Sequence, residues 1–237
     1  MLNPNQCVLY SGGAAGTEQF FGALAESWGI EEVNYSFEGH QIERSRGVRV
    51  LTSEELALKD VSLTYVSKLM NREYTRAPIF RKVLQSICWQ VSSGDQIIVV
   101  GAIQPDNTVK GGTGWGAEFA KICNKPLLVF DQPRGTWFIW QKDAWSEVEQ
   151  PAIEHAHFAA TGTRFLEDNG RIAIQDLFAR SFKRLPIRVT FPHTAPFDLS
   201  DFTDSCSPVG DIIADIPQFP ARRTYLLFST ARIMQWR

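Results

Sequence analysis

Gln96-Ile97-Ile98-Val99-Val100-Gly101, followed after a short polar loop by Lys110-Gly111-Gly112-Thr113-Gly114-Trp115-Gly116-Ala117-Glu118, is the stretch whose reading decides the fold. A continuous β-branched run of this kind reads as a strand buried on both faces, which is the mark of a parallel sheet covered by helices. Glycines after such a strand let the backbone approach a ligand closely, and the open N–H groups at the start of the next helix attract negative charge. The same punctuation occurs earlier, where Cys7-Val8-Leu9-Tyr10 runs into Ser11-Gly12-Gly13-Ala14-Ala15-Gly16-Thr17-Glu18. Two strand-glycine-helix units, each ending in a glutamate, predict two anion-receiving loops that face one cleft.

Working outward, Phe20, Phe21, Leu24, Ala25 and Trp28 recur at helical spacing, and Gly29 supplies a stop. Residues 33–37 and 48–51 read as strands, and a helix opens at Ser53 and reaches about residue 70. Pro78 opens another helix to about residue 91. A helix over 119–123, a strand over 126–131 and a closing helix over 168–182 follow. Alternation of this kind predicts an α/β fold, Rossmann-like and doubly wound, with a mainly parallel sheet and helices on both faces. Ligands of such sheets lie beyond the carboxyl ends of the strands, where the strand order reverses. The strands over 7–10 and 96–100 are therefore expected side by side at that point. Pro186, Pro192, Pro196, Pro208, Pro217 and Pro220 break helices and central strands, so residues 1–182 read as the Rossmann-type domain and 183–237 as an irregular C-terminal extension.

A chain of 237 residues with 44% hydrophobic content buries a core without staples. Its net charge of -2 supplies no global field for a nucleic-acid backbone, which disfavours a nucleic-acid partner. Cys7, Cys88, Cys123 and Cys206 are scattered, and His155 and His157 lack companions at ligand spacing, so reduced thiols and no metal are expected. The chain shows no basic-then-apolar leader and no run of membrane-spanning length; a cytoplasmic protein without a membrane partner is the expectation. Neither glycine loop carries a Walker, G-x-G-x-x-G or G-x-S-x-G pattern, which argues against ATP hydrolysis, hydride transfer and acyl transfer, and no cofactor is expected.

The two glycine motifs, together with Val99-Val100-Gly101, Ala120, Lys125-Pro126 and Asp131, resemble the SLOG superfamily of Rossmann-like nucleotide-ligand binders over roughly residues 6–182. Within it the likeness is to the molybdenum-carrier and YspA-like branch. The resemblance implies a nucleotide or nucleotide-derived, phosphate-bearing ligand that the protein senses or carries. The related lonely-guy branch cleaves the N-glycosidic bond of nucleoside monophosphates through P-G-G-x-G-T-x-x-E and an arginine. Here Lys110 replaces the leading proline and Thr113 precedes Gly114.

The candidate ligand-binding residues are Ser11, Gly12, Gly13, Ala14, Gly16 and Glu18 in the first loop, Gly101 at the strand end, and Gly111, Gly112, Thr113, Gly114, Trp115 and Gly116 in the second. Trp115 offers an indole face to a base and Arg164 a guanidinium to a phosphate, whereas Trp89, Trp137 and Trp140 read as core. In the phosphoribohydrolase alternative, Glu118 stabilises an oxocarbenium-like sugar or positions water, and Arg72 holds the phosphate. A plainer reading stands beside these: early-helix glutamates complement the helix dipole, glycines make tight turns and arginines solvate a surface. Single-stranded DNA binding is a third alternative, and a homodimer is expected by analogy with related domains.

Overall fold

The alternating punctuation resolves into eight strands and six helices among residues 1–74 and 77–183, which a computed structural model describes. In chain order they are β1 Val8–Ser11, α1 Thr17–Trp28, β2 Glu31–Ser36, β3 Val48–Val50, α2 Ser53–Ala57, α3 Asp60–Leu69, α4 Pro78–Ser93, β4 Gln96–Gly101, α5 Gly112–Ile122, β5 Leu127–Asp131, β6 Thr136–Gln141, β7 Ala144–Val148, β8 His157–Gly162 and α6 Asp168–Ser181. They form one sheet in the order β3-β2-β1-β8-β4-β5-β6-β7. The first six of these are mutually parallel, and the β6–β7 hairpin adds an antiparallel edge.

Strand periodicity divides the core. Ile98, Val100, Leu128 and Phe130 point to the face covered by α1 and α6, where they meet Phe21, Phe158, Phe178 and Phe182. Ile97, Val99, Leu127 and Val129 point to the opposite face and pack under α3, α4 and α5, against Leu63, Leu84, Val91 and Trp115. Each buried aliphatic side chain contributes about 1.5–3 kcal/mol, so the four fully buried ones of β4 hold it in the middle of the sheet. The α/β doubly wound reading is correct. Among the described residues no helix is long and apolar enough to cross a membrane.

Three expectations change, and β8 and the β6–β7 hairpin are elements that the sequence reading did not include. Strands β1 and β4 are not neighbours: β8 lies between them, pairing Leu9 with Phe158 on one side and Ile98 with Ala160 on the other. Its core, Phe158-Ala159-Ala160, follows one phenylalanine with two alanines and so gives little periodic signal, yet the alanines suit a strand with a helix against each face. The β6–β7 hairpin turns on Lys142 and Asp143, both at positive φ (51° and 57°), a conformation ordinarily announced by Asn-Gly. The helix expected over 53–70 is two, with Thr52 capping α2 in a reciprocal pair with Glu55. Helix α5 starts at Gly112, well before residue 119, and so incorporates most of the second glycine cluster. The extension expected over 183–237 lies, apart from Lys183, outside the described residues.

Candidate functional site

Strands β1, β8, β4 and β5 end on the same side of the sheet, and the loops that leave them enclose a cavity of about 670 Å³. That volume is typical of pockets for drug-sized ligands. One wall is the turn from Lys110 through Thr113 into α5, and the opposite wall carries Ala14, Glu18 and His40. The turn after β8 brings Thr163, Arg164 and Phe165, and the turn after β5 brings Gln132 and Pro133. Helix α4 presents Phe80, Val83, Ile87 and Gln90 on one face.

The two glycine loops share this cavity but differ chemically. In the first, the Glu18 carboxylate folds back onto its own loop: Oε2 accepts from the Ala14 N–H at 3.1 Å, and Oε1 accepts from the Thr161 hydroxyl at 2.7 Å. A further hydrogen bond comes from the Gly12 backbone, so these amides are already occupied by a carboxyl oxygen. Burial pushes the Glu18 carboxyl upward, and these hydrogen bonds and the Arg164 guanidinium offset only part of that. In the second loop, the backbone N–H groups of Gly111, Gly112 and Thr113 have no acceptor among the described residues. All three residues line the cavity, at the positive end of an 11-residue helix. Lys110 and Arg164, both exposed, form no ion pair among the described residues. His40 stands half-buried at the cavity, its pKa lowered by burial and by Arg164, which favours the neutral ring.

Of the expected ligand residues, Ala14, Glu18, Gly101, Gly111, Gly112, Thr113 and Arg164 line the cavity. Others are placed elsewhere by packing. Ser11 is buried and donates to the Ala160 carbonyl at 3.0 Å. Gly12 packs beneath Gln90 and Glu18, Gly13 accepts the Glu43 and Arg44 N–H groups, and Gly16 lies against the Arg164 backbone. Gly114 and Gly116 sit inside α5, where a side chain would meet the Val109 carbonyl and Ile87 respectively. Trp115 is 4% exposed and tilts against Tyr74 at 5.8 Å, so its indole fills the core and cannot stack on a base.

Neither member of the expected catalytic pair lines the cavity. Glu118 accepts from Lys121 Nζ at 2.7 Å, and that ammonium in turn lies 3.7 Å from the Trp140 ring centre. Arg72 donates to Gln104 Oε1, Thr108 Oγ1 and the Val109 carbonyl, which fastens the loop between β4 and α5. The residues that sequence reasoning passed over are Lys110, Gln90, His40, Thr161, Gln132 and Phe80. Lys110 adjoins the glycines directly, and Phe80, Val83, Ile87 and Gln90 follow helical spacing, so both signals were present in the chain. His40, Thr161 and Gln132 depend on topology and carry no local signal.

No family profile matches this chain, and no curated protein sequence matches it. Among solved structures it is similar to one described as a "putative molybdenum carrier protein" from Syntrophus aciditrophicus SB, with a TM-score of 0.44 and 15% sequence identity, covering 74% of this chain and 94% of that chain. At that level of likeness no ligand or chemistry transfers.

Proposed function

We propose that the cavity binds a phosphate-bearing small molecule of nucleotide size, whose oxyanion is received by the Gly111, Gly112 and Thr113 N–H groups with Lys110 beside them. The observation that carries this reading is that three adjacent amides at a helix start, lacking acceptors among the described residues, face a cavity of about 670 Å³. The apolar side chains of Phe80, Val83 and Ile87 supply a wall for an uncharged portion of the ligand. The motif resemblance to SLOG domains points the same way and favours sensing or carrying.

Glycosidic cleavage by Glu118 and Arg72 loses its support, because both side chains are engaged away from the cavity. Single-stranded DNA is also a poor fit. Among the described residues the cavity wall offers two permanent cations, Lys110 and Arg164, whereas backbone-driven nucleic-acid binding that is strongly salt-dependent engages about 6–10 phosphates.

Isothermal titration with AMP, adenosine and inorganic phosphate tests the reading. AMP is expected to bind and to raise the melting temperature, adenosine to bind at least about tenfold more weakly, and Lys110→Ala to lose most of the AMP preference. Equal affinity for AMP and adenosine, or no binding of AMP, refutes it.

A further inference from the structure

Resting on that reading, we infer that Gln90 and Glu18 form a second recognition point, which takes a hydrogen-bond donor on the uncharged part of the ligand. Gln90 is 1% exposed, lines the cavity, and its Oε1 is buried with no hydrogen-bond partner. Leaving a buried amide oxygen unmet is costly in a folded protein, and one that is retained calls for a reason such as a water, an ion or a functional role. Gln90 Nε2 and Glu18 Oε2 both approach the same side of Gly12: a methyl placed there would come 2.6 Å from the one and 2.8 Å from the other. Glu18 itself accepts from Ala14 N and Thr161 Oγ1, which fixes its orientation. The two side chains therefore form a polar floor beside Gly12, in which Glu18 is held by its hydrogen bonds and Gln90 keeps an unmet acceptor.

The floor stands at a useful distance from the oxyanion site. Helix α1 follows β1 and α5 follows β4, and β8 alone separates these strands. Two strand spacings set the two points roughly 10 Å apart. A ligand that satisfies both carries an anionic group at one end and an O–H or N–H donor about that far away. In a nucleoside monophosphate such a donor comes either from the base edge or from the sugar hydroxyls.

Titration of the wild-type protein and Gln90→Met with AMP, with the purine riboside monophosphate that lacks the 6-amino group, and with 2′,3′-dideoxy-AMP separates these sources. Wild type is expected to lose on the order of tenfold in affinity for one of the two stripped analogues. Gln90→Met should bind all three alike, and should melt no lower than wild type because it deletes an unmet buried acceptor while keeping the shape. Loss confined to the 6-desamino analogue assigns the base edge; loss confined to the dideoxy analogue assigns the sugar. Equal wild-type affinity for all three overturns the second recognition point and leaves the phosphate reading standing. Equal discrimination by Gln90→Met also overturns it. Failure of wild type to bind any of the three overturns both.

Discussion

Adjacent glycines at the mouth of α5 should respond to the same methyl group with opposite signs. Gly111 has φ 74° and ψ -157°, a backbone region that is essentially closed to residues with a Cβ, although a Cβ there would meet nothing within 4 Å. Gly111→Ala therefore costs backbone strain alone, about 2 kcal/mol. Gly112 has no such conformation, and its Cβ would lie 3.4 Å from Phe80 Cε2 and 3.9 Å from Leu84 Cδ2, which is ordinary contact. Gly112→Ala reduces the freedom of the unfolded chain and adds helix propensity, a gain of about 0.4–1 kcal/mol. At roughly 2–4 °C per kcal/mol for a domain of this size, Gly111→Ala should melt about 4–8 °C lower and Gly112→Ala about 1–4 °C higher. Thermal melts followed by far-ultraviolet circular dichroism read both. Gly112→Ala should nonetheless weaken AMP binding, since its methyl enters the cavity between the free amides and Phe80. A neutral Gly111→Ala, or two shifts of the same sign, refutes the conformational argument.

Glu118→Gln should leave AMP affinity within about twofold of wild type, and Arg72→Met should do the same while losing about 2 kcal/mol in urea denaturation as Gln104, Thr108 and Val109 are released. A large loss of binding in Glu118→Gln would return that carboxylate to the site. Lys125 donates to the carbonyls of Val91, Ser92 and Gly94 at the end of α4, so Lys125→Met should cost about 2–3 kcal/mol in the same assay; an unchanged urea midpoint would show that water replaces the ammonium freely. Burial raises the Glu18 carboxyl above its ordinary value of 4.5 despite its hydrogen bonds. The folded state therefore holds that proton longer than the unfolded chain, and wild-type stability falls as pH climbs from the ordinary value through the folded one. Glu18→Gln removes the titration, so urea midpoints of wild type should decline relative to the variant across that window. A constant difference between the two would show that Glu18 titrates alike in both states.

What could be read from the chain was what local pattern encodes. The runs 96–101 and 126–131 announced β4 and β5, and Gly29 and Pro78 marked the stop of α1 and the start of α4, because each signal is written in neighbouring residues. Strand β8 was illegible because its alanines are chosen for the helices packed on either face, a condition that only the assembled sheet imposes. The cavity follows the same division. Gly101, Gly111 and Gly112 at strand and helix ends line it, whereas Gln90 and Thr161 reach it from an ordinary helix face and an unrecognised strand. Trp115 misled because an indole beside glycines suits a base and a core equally well, and burial chose the core.

The near-repeat of glycines ending in glutamate conceals a difference of helix phase that decides what each loop can do. Glu18 is the second residue of α1, so its carboxylate reaches back over the loop and occupies the amides that precede the helix. Glu118 is the seventh residue of α5, because that helix begins at Gly112 and takes in the glycines that α1 leaves outside. Five further residues at about 100° each turn Glu118 well away from the Glu18 direction and carry it more than a turn along the axis, to Lys121 and Trp140. The first loop is thus closed by its own acid, and the second, whose acid points elsewhere, keeps its amides open. Of the two glycine loops, the second is the one whose amides lack acceptors among the described residues, and the helix start at Gly112 is what leaves them open.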